Sequence, residues 1–245
     1  MKSALTDDLR AIGVRRGDAL LVHSSLSALG GIAPGDVIDA LLDALGEQGT
    51  LIMPALSFGT VTRASPVFDR AATPSCVGYL TEYFRASVPG TIRSMHPTHS
   101  CCALGAHADF FTRDHHLDDT PVGAHSPFRK LRDAGGKLLF IGCGTQPNTS
   151  MHGVEELASP DYLFSEPIVY TLRDGHTARE KTYTPHGFRD AQQRYERLEP
   201  LLNDREIARG KLLAADSVLM DARAVWEKAH AALLRDSHYF VDIAP

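Results

Sequence analysis

The stretch "ALLVHSSLSALGGIAPGDVIDALLDALGEQGTLIMPAL", residues 19–56, decides the fold class. "ALLVH" is a short apolar run of the kind that forms a buried strand, and "TLIMPAL" is a second, stopped by Pro54. Between them, Pro34 stands at a helix entry and Gly46 at its exit. Val37, Ile38, Leu41, Leu42 and Leu45 fall at the three- and four-residue spacing of one helical face. Strand, helix and strand in that order read as a right-handed parallel crossover, because a twisted strand feeding a helix packs back onto its own sheet that way. The expectation is an α/β fold: a mixed, largely parallel central sheet flanked by helices.

Working outward, "SALTDDLRAIG" (3–13), "SCVGYLTEYFRAS" (75–87) and "SPFRKLRDAG" (126–135) have helical spacing, the last with Ser126 as cap and Pro127 in its first turn. "HSCCALGAHADFF" (99–111) carries a short strand, and "GKLLFIGCG" (136–144) is the clearest buried strand of the chain. Residues 57–74 turn to Ser, Thr, Gly and Pro without period and read as a long surface loop. A β-hairpin insertion is expected over 160–190, with "RDG" as its turn. Over 190–240, "DAQQRYERLEPLLNDRE" and "DARAVWEKAHAALLRD" predict a helical C-terminal cover, so that residues 1–245 form a single domain.

A hydrophobic fraction of 43% and a charged fraction of 22% are ordinary for a globular chain, and no apolar window is long enough to span a membrane. The N-terminus lacks the pattern of a signal peptide. Cys76, Cys101, Cys102 and Cys143 form no CxxC pair and read as buried, reduced thiols of a cytoplasmic protein. A net charge of -5 without a run of Lys or Arg argues against nucleic-acid partners.

In open α/β sheets, ligands gather beyond the carboxyl ends of the strands. That rule singles out "HSSLSALGG" (23–31), "PALSFGT" (54–60) and "GCGTQPNTSMHGVEE" (142–156). The first could present hydroxyls and amides to an anion or simply cap a helix, and it is no P-loop. "HPTHS" (96–100) has HxxH spacing, but Pro97 disfavours the regular helix that would bring both rings to one metal. In "TSMHGVEE", His152 and Glu155 are three apart and share a face on a helical turn. That arrangement suits a general base with its orienting carboxylate, and equally a capped helix start with acids near its N-terminus.

Five segments, "LLVHSSLSALGG", "PALSFGT", "IRSMHPTHSCCALGAHA", "GAHSPFRKL" and "KLLFIGCGTQPNTSMHGVEE", resemble in order and spacing those of the aminoglycoside 3-N-acetyltransferase family, the antibiotic N-acetyltransferase fold. The resemblance implies an acetyl-CoA-dependent N-acyltransferase, with a small-molecule amine such as an aminoglycoside or amino sugar as acceptor. It implies His152 and Glu155 as the catalytic pair and His23, Ser24, Ser25, Leu26, Arg93, Ser94 and Ser126 as CoA contacts. It places His96 and Thr149 at the acceptor, with Thr149 and the "GCG" backbone as oxyanion donors. The implied reaction is direct attack in a ternary complex, with no metal and in a monomer or homodimer. Where drug-modifying members continue from the catalytic Glu with an aromatic residue, Glu156, Leu157 and Ala158 follow here, which favours an amino sugar or related amine over a resistance substrate. Two other readings are a metal-dependent hydrolase using His96, His99, His152 and Glu155, and a non-catalytic CoA- or sugar-binding protein.

Overall fold

Leu5, Leu9 and Ile12 form the buried face of α1 (Lys2–Ile12), which leads into β1 (Ala19–Ser24). The crossover follows as α2 (Pro34–Leu45) and β2 (Thr50–Pro54), and β1 and β2 pair in parallel. Next come β3 (Val67–Asp69), α3 (Tyr79–Ser87), β4 (Ile92–Arg93), β5 (Cys101–Gly105) and the short α4 (Ala108–Thr112). Ser126 accepts a hydrogen bond from the Arg129 N–H and so caps α5 (Pro127–Asp133), ahead of β6 (Lys137–Ile141) and α6 (Ser150–Ala158). The remainder is β7 (Ile168–Asp174), β8 (Thr177–Tyr183), β9 (Ala191–Gln193), β10 (Ile207–Leu212), β11 (Ala215–Asp221), α7 (Ala222–Arg235) and β12 (Val241–Ile243). The computed structural model describes residues 1–243, so the end of the expected 1–245 domain lies outside the described residues.

The main sheet has seven strands in the order β10-β11-β6-β1-β2-β5-β4. It is mixed, as expected, but parallel pairing is confined to the three central strands β6, β1 and β2. The other ladders are antiparallel. One cause is local: β10 and β11 are separated by two residues, and so tight a hairpin can join only antiparallel strands.

Alternating residues of the central strands feed two cores. Leu20, Val22, Leu139 and Ile141 face α1, α2 and α3, while Leu21, Leu138 and Phe140 face α5, α6 and α7. Of the four cysteines expected to be buried, Cys101 and Cys102 are, whereas Cys76 is exposed and Cys143 half-buried. No helix among the described residues is long and apolar enough to cross a membrane.

The 160–190 insertion contains the expected hairpin, β7 against β8. The loop before α3 is not wholly irregular, because its β3 pairs in parallel with β7 and makes a separate three-stranded sheet. The helical cover expected over 190–240 needs correction, since only α7 is α-helical there. Residues 191–193 form β9, which pairs with β12, and Tyr195–Leu201 is a tighter 3-10 turn. Pro200 inside it cannot donate the backbone hydrogen bond an α-helix needs. Residues 207–221 supply β10 and β11 to the main sheet, and the alternating burial of Ala215, Ser217 and Leu219 is a strand period masked by the helical spacing around it.

Candidate active site

The chain leaves the central sheet at β6 through Gly142, whose φ of +63° and 2.3 Å clearance to the Ala28 Cβ leave no room for a side chain. Eight residues later α6 begins, and its placement is fixed by Trp226 of α7. The indole N–H donates to the Ser150 hydroxyl at 2.8 Å, and the ring packs so closely on Gly153 that a Cβ there would stand 2.2 Å from it. Gly153 thus lets α6 seat against α7, and His152 and Glu155 project from the same turn as their spacing predicts.

Glu155 is fully buried, and three groups surround its carboxylate. The Tyr162 hydroxyl donates to Oε1 at 3.0 Å, the Tyr195 hydroxyl donates to Oε2 at 2.7 Å, and His152 Nδ1 lies 3.4 Å from Oε2. Tyr195 Oη is also 2.9 Å from His152 Nδ1. Because the single Tyr195 proton goes to the carboxylate, His152 must donate from Nδ1 to the tyrosine oxygen. That assigns the tautomer and leaves Nε2 as the free basic nitrogen. Burial and the adjacent carboxylate hold Tyr195 well above its ordinary range, so it remains a proton-bearing bridge.

His99 and His186 close around His152, with ring centroids 5.6 and 5.2 Å from it. His186 Nε2 bonds Glu156 at 2.8 Å, and Glu156 also accepts from the Val122 N–H and the Thr120 hydroxyl. His99 Nδ1 bonds the Thr98 hydroxyl at 2.9 Å. His96, expected at the acceptor, lies behind this cluster. Its Nδ1 accepts the N–H groups of Thr98 and His99, and its Nε2 meets the Thr120 carbonyl, so it shapes the turn that presents His99. The metal-hydrolase reading needs the same correction: the structure brings His99, His152 and His186 together and leaves His96 outside.

Several imidazoles are held neutral by burial, which pushes His23 and His115 down to about 3 and His96 well below its usual range. In the unfolded chain these rings protonate near pH 6.5. Between that pH and the folded values the unfolded state binds more protons, so their contribution to stability is complete above about pH 6.5 and is lost as pH falls. Each should cost about 1.4 kcal/mol per pH unit within the window. Asp118, pushed up to about 6 by burial, acts in the opposite direction but is one group against several. Urea denaturation at pH 7 and pH 5 should show a clear fall in unfolding free energy, and equal stability at both would contradict this account.

A cavity of about 410 Å³ opens onto the cluster, lined by Leu56, Phe58, Val77, His99, Gln146, Pro147, Asn148, Thr149, His152, His186, Phe188, Gln193 and Tyr195. It draws on two of the three segments that the strand-end rule singles out, those after β2 and β6, but on none of residues 23–31, and it adds residues 186–195.

A family profile described as aminoglycoside 3-N-acetyltransferase matches residues 21–233. The chain belongs to the aminoglycoside 3-N-acetyltransferase family. It is similar to aminoglycoside N(3)-acetyltransferase VII of Streptomyces paromomycinus, at 33% identity over 91% of the chain and 88% of the relative. It is also similar to the prophage-derived aminoglycoside N(3')-acetyltransferase-like protein YokD of Bacillus subtilis, at 32% over 63% of the chain and 64% of the relative. Among solved structures, AAC-IIIb in a binary complex with CoASH superposes with a TM-score of 0.85 at 29% identity, covering 100% of this chain and 99% of that one. A variant of AAC(3)-IVa in complex with a gentamicin does so with a TM-score of 0.83 at 27% identity, covering 98% and 90%.

In this aminoglycoside 3-N-acetyltransferase family member, the residues that the resemblance ties to CoA divide into two groups. His23, Ser24, Ser25 and Leu26 run off the carboxyl end of β1 beside the central strand β6. His23 stacks flat on Phe140, with ring centroids 5.1 Å apart, and its Nε2 is buried without a partner. The other three are occupied elsewhere. Arg93 bonds the carbonyls of Ala55, Arg70 and Thr73 and the Ser100 hydroxyl, which ties down the loop before α3. Ser94 bonds His115 and the Cys101 N–H, and Ser126 is the cap of α5. Residues not anticipated from sequence are Tyr162, Tyr195, His186, Glu156 and Asn148. Tyr195 and His186 approach from distant segments with no motif of their own, whereas Tyr162 lies just past the end of α6.

Proposed function

We propose that this chain transfers the acetyl group of acetyl-CoA to the amine of a small acceptor by direct attack in a ternary complex, with His152 as general base. The observation that carries this reading is the bonded chain His152–Tyr195–Glu155, which leaves Nε2 of His152 as the free nitrogen of a ring that lines the cavity. His152 Nε2 takes the proton from the attacking amine, and the carboxylate of Glu155 offsets the charge of the imidazolium through Tyr195. Thr149 and Asn148, both lining the cavity, face the oxygen on which negative charge develops. The imidazolium then returns its proton to the departing thiolate of CoA. Binding both substrates at once replaces a bimolecular encounter by attack between aligned groups.

The buried, unpartnered His23 Nε2 at the end of β1 fits a polar co-substrate group, so the His23–Leu26 segment would hold acetyl-CoA and supply the acyl thioester. The CoASH complex of AAC-IIIb supports this co-substrate. The acceptor we propose is an amino-sugar-like amine of low charge. Among the described residues no Asp or Glu lines the cavity, whereas Leu56, Phe58, Val77 and Phe188 do. Asp69 instead caps a turn, Asp118 accepts from the His125 N–H, Asp119 pairs with Lys181, and Asp161 pairs with His238. A free-thiol release assay with acetyl-CoA and metal-free protein tests this. Amino sugars and apolar monoamines should release CoA faster than polycationic aminoglycosides, and thiol release with no amine in the panel would sink the reading.

A further inference from the structure

We infer that His99, His152 and His186 form a binding site for one divalent transition-metal ion of the zinc class, and that this ion blocks His152 when bound. One donor nitrogen of each ring lies within 4.8 Å of the other two. Small side-chain rotations would bring them to the spacing of about 3.4 Å set by three nitrogens at about 2.1 Å from a tetrahedral ion.

The stronger observation is how the rings are held. A metal-binding imidazole is ordinarily oriented by a hydrogen bond at its other nitrogen. Here His186 Nε2 is held by Glu156, His152 Nδ1 by Tyr195 and Glu155, and His99 Nδ1 by Thr98. In each ring that leaves one nitrogen without a protein partner among the described residues. The His186 side chain is only 2% exposed, and its Nδ1 is a buried polar atom with no hydrogen bond. Acetyl transfer by His152 gives no reason for a second carboxylate-held histidine beside it; a metal ion does.

Three neutral imidazoles favour zinc, copper or nickel over magnesium or calcium, which prefer oxygen. The two buried carboxylates behind the rings, Glu155 and Glu156, offset the charge of a divalent ion without binding it. The cavity in front leaves a fourth position for water or a ligand. A metal on His152 Nε2 occupies the lone pair that would receive the amine proton, so the loaded protein has no free base there. This last consequence rests on the proposed acetyl transfer, whereas the site itself does not.

Equilibrium dialysis of metal-free protein against Zn2+, with Co2+ absorption as the coordination signature, should give one ion per chain and a tetrahedral cobalt spectrum. His186→Ala and His99→Gln should each weaken Zn2+ binding by more than about 100-fold, beyond the 10- to 100-fold typical of losing an orienting partner. Circular dichroism verifies that each variant is folded, and either variant alone suffices if the other is not. Added Zn2+ should abolish thiol release by the wild type, and a chelator should restore it. Sub-stoichiometric binding, or unchanged affinity in a folded variant, overturns the proposal. Absence of thiol release from the metal-free protein would defeat the acyl-transfer reading and leave the dialysis result standing.

Discussion

His152→Gln should lower kcat for acetyl transfer by about 10²- to 10⁴-fold, the range that a positioned general base contributes. The glutamine amide occupies similar space and can still bond Tyr195, so the fold and the buried Glu155 are preserved while the basic nitrogen is lost. Because the proton moves only as attack proceeds, the loss should fall on kcat and leave KM for acetyl-CoA unchanged. The pH profile is a second readout. An acceptor amine arrives mainly as its ammonium at neutral pH, so the variant's residual rate should climb with pH as free amine accumulates. A folded His152→Gln protein with wild-type turnover would remove the base assignment and redirect attention to His99 and His186, the other imidazoles lining the cavity.

What was legible in the sequence follows the range over which its signals act. The strand-helix-strand of residues 19–56 is written in local periodicity, and so is the turn that pairs His152 with Glu155 three residues on. Tyr195, by contrast, lies 43 residues beyond His152 and reaches it from a 3-10 turn that reads as an ordinary helix by spacing. No local pattern marks it as the bridge between base and carboxylate. Arg93 shows the reverse failure. Its place in a family motif points to a ligand, yet its donors are taken up by backbone carbonyls, a tertiary fact that composition cannot show. Glu156 carries no local sign of its role, and only the fold brings His186 from the hairpin insertion, with the Thr120 hydroxyl and the Val122 N–H, onto its carboxylate.

Asn148→Ala should lower kcat by about 10²- to 10³-fold, the usual cost of removing one donor from a developing oxyanion. Asn148 is fully buried, lines the cavity, and has an Nδ2 without a hydrogen-bond partner. Its orientation is set by the Ser150 N–H, which donates to Oδ1 and leaves the amide NH2 as the unmatched end. A buried donor left unsatisfied costs about 1–3 kcal/mol, so a merely structural asparagine here would be a poor solution. If the NH2 meets its partner only when charge builds on the thioester oxygen, that resting cost becomes a preorganised contribution to the transition state. Two measurements separate this role from a structural one. Removing the side chain relieves the unmatched donor while forfeiting the bond to Ser150, so Tm should change little as kcat falls. Asn148→Asp keeps the acceptor for the Ser150 N–H but places a carboxylate where negative charge must develop, and it should be slower than the alanine variant. A folded Asn148→Ala enzyme with undiminished kcat, or an aspartate variant faster than alanine, would transfer the oxyanion role to the Thr149 hydroxyl or the 142–144 backbone.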